Sequence, residues 1–354
     1  MARVARHGPL RFDEVMEAAL YDPEWGFYAS GGRAGRRGDF ITSAEVGPLF
    51  GAVVARALDS WWIAAGSPRP FVVVEAGAGV GTLARSVLAA TPACSAALRY
   101  VLVERAAVLR AEHERGLPLV LPMHAFAAGR EPEEDEEIAP IPDGPLAVSL
   151  ESLPPSADVV IANELLDNLP IRLLERGSDG WAEVGVGEDL AEVLLPTPIA
   201  PLLDAPVGAR VAWQQAAAQW LRDALDVSPR VVVFDYMTTT EQMARRPWTE
   251  WVRTYRGHER GRSPLGELGF QDITCEVALD QLALVRAPEL VRDQRTFLEA
   301  HGIEALVEDG RAAWERGAAQ GDVDAIKGRS RVREAEALTD ISGLGGFTVA
   351  EWVR

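Results

Sequence analysis

The stretch FVVVEAGAGVGTLARSVLAA, residues 71–90, constrains the fold more than any other part of the chain. Four apolar residues run together, three glycines follow at alternate positions, and a stretch of helical spacing comes next. An apolar run without alternation marks a strand buried on both faces, as in parallel sheets covered by helices. Gly77, Gly79 and Gly81 stand at the exit of that strand. A turn there must bend sharply and let a ligand approach the backbone, and glycine permits both. The helix that follows opens with free N–H groups.

The alternation continues along the chain. LRYVLVER (98–105) reads as a second strand and LPLVLPMHAF (117–126) as the place of a third, with helical spacing between them in AAVLRAEHER (106–115). DVVIANELLDNLP (158–170) supplies a fourth strand and its exit, and RVVVFDYM (230–237) another strong strand. Strands alternating with helices give an α/β fold with a parallel, doubly wound sheet. Upstream, RFDEVMEAAL (11–20) is helical and breaks at YDPEWGFY (21–28), and GGRAGRRGD (31–39) reads as a loop. ITSAEVGPLFGAVVARALDSWW (41–62) offers Ser43 as the N-cap of a helix running to Trp62. Residues 171–229 hold a hairpin-like stretch, proline-rich turns and a tryptophan-containing helix, AWQQAAAQWLRDAL. FQDITCEVALDQLALV (270–285) reads as strand and helix, and GLGGFTVAEWVR (343–354) as a last strand. The expected division is an N-terminal lid segment at 1–66, a Rossmann-like core at 67–170, an accessory insert at 171–229, and the remaining sheet and C-terminal helices at 230–354.

The 354 residues carry a net charge of −18. Phosphate binding needs clustered Lys and Arg, so this balance argues against nucleic acid or an anionic membrane as partner and leaves a basic peptide open. The acidic run EPEEDEE (131–137) reads as a solvated loop. Cys94 and Cys275 make neither a disulfide framework nor a zinc cluster, and read as buried thiols in a reducing compartment. The N-terminus has no apolar core of a secretory signal, and no run approaches the roughly 18 apolar residues of a membrane helix. The expected location is the cytoplasm. No metal is expected, since no His/Cys/Asp cluster stands at ligand spacing.

The glycine spacing is G-x-G-x-G, whereas the dinucleotide fingerprint places its third glycine one position later. S-adenosylmethionine would need room beside the turn for an amino acid and a sulfonium. Glu75, two residues before Gly77, could lie near the cationic methionine part. Glu104, at the end of the second strand, would accept both ribose hydroxyls in either cofactor and does not choose between them. A glycine turn with no ligand and a surface glutamate is the plainer alternative.

Several stretches together resemble the MidA family of S-adenosylmethionine-dependent methyltransferases, which includes a mitochondrial factor that methylates an arginine during assembly of respiratory complex I. They are YDPEWGFY, RRGDFITSAEVGPLFG, VVEAGAGVGTLARSVL, YVLVER, IANELLDNLP, FDYM and FQDITCEVALDQL, with DQRTFLEAHGI and REAEALTDISGLGGFTV near the end. The likeness runs from about residue 10 to the last. The family has aromatic residues after its Asn-Glu pair and Ala before Leu-Pro, where this chain has Leu165, Leu166 and Asn168. It has Pro where Ala78 stands, and its Leu-Arg-x-Tyr-x-x-His pattern survives only as VRTYRGH.

The resemblance implies a class I Rossmann-like methyltransferase that binds S-adenosyl-L-methionine and releases S-adenosyl-L-homocysteine. It implies a lid segment in which Asp39, Phe40 and Thr42 lie near the cofactor and Glu45 faces the acceptor. A plain linker with a helix cap is the alternative for that segment. Tyr21, Trp25 and Tyr28 could pack beneath it. Around the turn, Gly77, Ala78, Gly79, Gly81, Thr82 and Leu83 would meet the cofactor with Glu75, Glu104, Arg105 and Asn163. Ligands bind at the carboxyl ends of parallel strands, so Asn163, Glu164 and Asp167 would line the acceptor pocket. Two carboxylates suit a guanidinium, a planar fork of donors. In the alternative, Glu164 caps the following helix and Asp167 faces solvent. His258, in VRTYRGH, is the most site-like of the five histidines. The expected acceptor is a protein arginine; a small molecule or modified peptide is the second reading, and a non-catalytic cofactor-binding assembly factor the third. A homodimer is left open.

Overall fold

The computed structural model describes residues 8–32, 42–126, 143–257, 259–261, 263–320 and 322–354. These fall into two compact units, one from 42–163, 227–234 and 290–354, the other from 8–32, 164–226 and 235–289. The boundaries expected at 66/67, 170/171 and 229/230 follow the chain, whereas compactness joins segments far apart in it.

The first unit holds the parallel sheet announced by residues 71–90. Its strands are β1 (Phe71–Ala76), β2 (Leu98–Val103), β3 (Leu146–Leu150), β4 (Val159–Asn163), β5 (Arg230–Asp235), β6 (Leu290–Asp293) and β7 (Thr348–Val353), in the order 3-2-1-4-5-7-6. The neighbours from β3 across to β5 run parallel, and β6 is antiparallel to β7. The chain winds outward from β1 to β3, then restarts beside β1 with β4. That reversal makes the carboxyl ends of β1 and β4 the switch point of the sheet, the place where doubly wound folds take their ligands. The apolar runs are buried as their composition requires: Val73, Val74, Tyr100, Leu102, Ile161 and Val232 are fully covered.

Two local expectations are corrected. LPLVLPMHAF is not the third strand. Only Leu119 bridges to Ala147, and Pro122 opens a short helix, Pro122–Phe126. A proline ring presets helical φ and cannot donate in a ladder, so its place is a helix start. The third strand is β3, which follows the acidic run 131–137; that run lies outside the described residues. Nor does Ser43 cap one long helix. Thr42 is the N-cap of α1 (Ser43–Val46), and Pro48 starts α2 (Pro48–Ala64). The Ser43 hydroxyl instead donates to Gln294 Oε1 at 2.9 Å.

On β7, Glu351 is 4% exposed and stands between two arginines from the flanking strands, Arg230 on β5 at 3.3 Å and Arg292 on β6 at 2.5 Å. Glu351→Gln keeps the shape and leaves two guanidinium groups without their shared counter-charge. The partly covered pair should cost about 2 kcal/mol, less than a fully buried one. Urea unfolding would show it as a lower midpoint at unchanged slope.

The second unit is antiparallel. Strand Trp181–Val186 pairs with Leu10–Arg11, Arg172–Arg176 and Glu192–Pro196, and Arg172–Arg176 pairs in turn with Arg210–Trp213. This realises the hairpin expected within 171–229. A smaller sheet sets Val252–Arg256 between Glu259–Arg260 and Asp272–Cys275. Helix Phe12–Tyr21 buries Phe12, Val15, Met16, Ala19 and Leu20, one stripe at helical spacing, in the same core as Leu173, Val184 and Trp251. Cys94 and Cys275 are both buried. No described helix is long and apolar enough to cross a membrane.

Candidate active site

At the exit of β1 the chain turns through Gly79 at φ +55° and Gly81 at φ +79°, then enters α3 (Thr82–Ala89). Both values are left-handed and disfavour a side chain. The two positions differ in their surroundings. A Cβ on Gly81 would meet Leu102 Cδ2 at 3.0 Å and the His113 ring at 3.4 Å, whereas one on Gly79 would meet nothing within 4 Å. Gly81 is thus required by packing, and Gly79 leaves an open cradle over its backbone.

The turn is clamped by its own unit. Gly77 and Ala78 donate N–H to Val103 O. The Gly79 N–H goes to Glu104 Oε2 at 3.0 Å, and the Gly79 carbonyl meets His113 Nε2 at 2.9 Å. The other ring nitrogen of His113 meets Ser149 Oγ at 2.8 Å. Arg85 donates to Val80 O at 2.6 Å and to Thr82 Oγ1 at 2.7 Å. Glu104 Oε1 accepts the Ala106 N–H at 2.8 Å. Each Glu104 oxygen therefore keeps a lone pair for a hydroxyl. A carboxylate with acceptor capacity beside an open backbone cradle fits a ribose-bearing ligand.

Glu75 is turned inward beneath the turn, 5% exposed, with Tyr100 donating to Oε2 at 2.8 Å. It also takes the Ala84 N–H, one of the free amides of the first turn of α3. Burial pushes its carboxyl up to about 8, against the opposing pull of those two donors. A raised folded-state value stabilises below about pH 4.5, and the contribution fades as pH rises toward about 8. Glu75→Gln should flatten that decline, gaining on wild type by roughly 3–4 kcal/mol between pH 5 and 8. Denaturant midpoints at several pH values would reveal the difference; parallel curves would contradict it. Thr42, Ala78 and Leu83 are buried, while Glu45 and Asn163 are half-buried and Arg105 is exposed. Asp39, Phe40 and His258 lie outside the described residues.

In the other unit, the exit of the fourth strand gathers carboxyls. Glu164 has φ +52°, and a 3-10 turn follows at Leu166–Asn168. Asp167 is 4% exposed, so it does not face solvent. Nor is the turn capped by Glu164: the Leu166 and Asp167 N–H groups go to Asp235. Burial first, then Asp235 and Asp272, hold the Asp167 carboxyl well above its ordinary range. Burial and Glu164 push Asp235 up to about 8. Among the described residues no donor reaches Asp167 Oδ1.

Tyrosines wall this cluster. Tyr21 and Tyr28 stack with ring centres 5.4 Å apart. The Tyr28 hydroxyl lies 3.1 Å from both Asn168 Oδ1 and Asp272 Oδ1, and Asn168 Nδ2 donates to Asp272 Oδ1 at 3.0 Å. Trp25 is exposed. Burial and then Glu164 raise the Tyr236 hydroxyl. No group of three His, Cys, Asp or Glu among the described residues could hold a metal. Buried acids that repel one another suit a cation rich in N–H donors.

Asp235, Asp272, His113 and Ser149 were not foreseen as site residues. Asp235 and Asp272 stand in the stretches FDYM and FQDITCEVALDQL, which offered a signal. His113 sits in plain helical spacing and offered none.

Comparison with known proteins shows the family and the fold. A family model of S-adenosyl-L-methionine-dependent methyltransferases matches residues 53–293. A mitochondrial protein of Drosophila melanogaster named as a homolog of the protein arginine methyltransferase NDUFAF7 is 28% identical over 78% of this chain and 66% of its own length. The mitochondrial Mus musculus protein of that name is 28% identical over 53% of this chain and 44% of its own. The chain thus spans about half to two thirds of the length of these relatives. A Burkholderia thailandensis methyl transferase candidate, crystallised with S-adenosyl-homocysteine, superposes with a TM-score of 0.77 at 25% identity, covering 100% of this chain and 90% of that one.

Proposed function

Because this chain belongs to the family of S-adenosyl-L-methionine-dependent methyltransferases, we propose that it methylates a nitrogen, the guanidinium of an arginine carried by a protein. The observation that carries the reading is the carboxyl cluster at the exit of the fourth strand: Glu164, Asp167, Asp235 and Asp272 gathered among tyrosines, with burial and mutual repulsion raising Asp167 and Asp235. The names of the relatives lend it support.

Bound S-adenosylmethionine supplies an electrophilic methyl group on sulfur. The Gly79 cradle and the Glu104 carboxylate would hold its nucleoside part, with Thr42, Glu75, Ala78, Gly81, Thr82, Leu83, Arg105 and Asn163 around them and Asp39 and Phe40 in the preceding segment. Glu164, joined directly to Asn163, would orient the guanidinium through paired N–H donors. Asp167 would share the positive charge once the cation arrives, and Glu45 and His258 would serve the acceptor side. A guanidinium loses a proton as it gains a methyl group; a carboxylate ionised by the arriving cation, whose crowding raises its proton affinity, is suited to receive it. Rate would come from alignment and fixed charge. A protein or peptide partner accords with the acidic balance of −18. The relatives bear mitochondrial names, so the buried thiols support a reducing compartment without choosing the cytoplasm.

The test is transfer of labelled methyl from S-adenosylmethionine to a host lysate separated into protein and small-molecule fractions. Label recovered as methylarginine from protein supports the proposal. Label confined to small molecules moves the acceptor to a free metabolite.

A further inference from the structure

Asp235 ends β5 and is fully buried. Its Oδ2 accepts the N–H groups of Leu166 at 3.0 Å and Asp167 at 3.3 Å, and its Oδ1 accepts the Tyr236 N–H at 2.9 Å. The first two donors belong to the turn that follows Glu164. Glu164 itself stands at φ +52°, in the left-handed region that L side chains avoid. Such a residue persists only where the chain on both sides is fixed. On one side β4 fixes Asn163, which pairs with Phe234. On the other the fixing group is the Asp235 carboxylate.

We propose that Asp235 is the positioning residue of the acceptor site: by gripping the Leu166 and Asp167 amides it holds Glu164 in its left-handed conformation and so aims the Glu164 carboxylate. This rests on the reading that Glu164 meets the acceptor. Among the described residues the groups facing Asp235 are Glu164 and Asp167 from the turn and Tyr236 from its own strand end, with Cys275 near both aspartates and Asp272 and Tyr28 acting on Asp167. Three N–H donors favour the ionised carboxyl, whereas burial and Glu164 oppose it and leave it at about 8. A guanidinium brought to Glu164 removes the main opposing charge. Acceptor arrival would then ionise Asp235 and tighten its grip on the turn.

The experiment compares Asp235→Ala, Asp235→Asn and Glu164→Gln. Hydrogen exchange reads residues 165–168, calorimetry reads S-adenosylhomocysteine affinity, and labelled-methyl transfer to the lysate protein fraction is followed against pH. Asp235→Ala should speed exchange at Leu166 and Asp167 roughly 100-fold and cut transfer by roughly the same factor, with affinity changed less than about twofold. Asp235→Asn keeps one oxygen for the two amides, so most of the protection and rate should return. Its rate profile should lack the inflection expected of wild type near pH 8. Unchanged exchange in Asp235→Ala would overturn the proposal, as would affinity falling in step with transfer. Normal transfer by Asp235→Ala with an inactive Glu164→Gln would overturn this proposal alone. Normal transfer by Glu164→Gln would bring down the acceptor reading and this proposal with it.

Discussion

Glu164→Gln should transfer methyl groups at roughly one hundredth of the wild-type rate or less, while binding S-adenosylhomocysteine as tightly as wild type. The glutamine side chain keeps the size and one acceptor oxygen but loses the charge. A carboxylate grips a guanidinium through two parallel charge-assisted bonds, each about twice as strong as a neutral one. After burial, Glu164 is the largest charge raising both Asp235 and Tyr236, so its charge is felt across the cluster. Asp167→Asn should behave differently. Burial with Asp235 and Asp272 already favours the neutral acid at Asp167, and asparagine resembles that form closely. Its loss should be nearer tenfold, because its charge matters only once a cation is present. Single-turnover transfer beside calorimetry separates the two variants. Equal losses, or losses that track cofactor affinity, would sink the assignment of Glu164 to the acceptor.

Gly79→Val should lose S-adenosylhomocysteine affinity by roughly 100-fold or more with only a modest loss of fold stability. The backbone at φ +55° disfavours any side chain, by about 1–2 kcal/mol. Nothing lies within 4 Å of the added Cβ, so no clash adds to that cost. The affinity falls because the valine fills the open space over the turn that a cofactor needs. Gly81→Val is the control with the opposite balance. Its Cβ would press on Leu102 at 3.0 Å and His113 at 3.4 Å, adding about 1–3 kcal/mol of overpacking to the backbone cost. Thermal unfolding without ligand should therefore rank Gly81→Val well below Gly79→Val. If Gly79→Val bound normally, the cofactor would not approach the backbone at this glycine.

Locally determined features were legible in the sequence. The β1 strand, its glycine turn and α3 are contiguous, and their hydrophobic pattern and turn chemistry agree. The strand ending in Asn163 and the acids beyond it were legible for the same reason. What escaped depends on distant pairing. Leu166 and Asp235 are 69 residues apart, Asn168 and Asp272 are 104 apart, and His113 reaches Gly79 across 34. No spacing rule connects such residues. The third strand was misplaced because LPLVLP is the more apolar run, yet its prolines bar it from a ladder and the shorter LAVSL fills the place. Glu75 was expected beside a cation. Its position below the turn depends on Tyr100, a partner one strand away.

Besides the passage between residues 32 and 42, the chain passes from one compact unit to the other at 163/164, 226/227, 234/235 and 289/290. Glu164 and Asp235 each stand on the first residue after such a passage. A lineage could not acquire a new acceptor chemistry here by swapping in one contiguous gene segment, since any graft would need matched junctions at all of these points. Diversification among such proteins is therefore expected through point changes in side chains such as Leu165, Leu166 and Asn168. The two carboxylates at the junctions would stay as the shared inheritance, whatever molecule receives the methyl group.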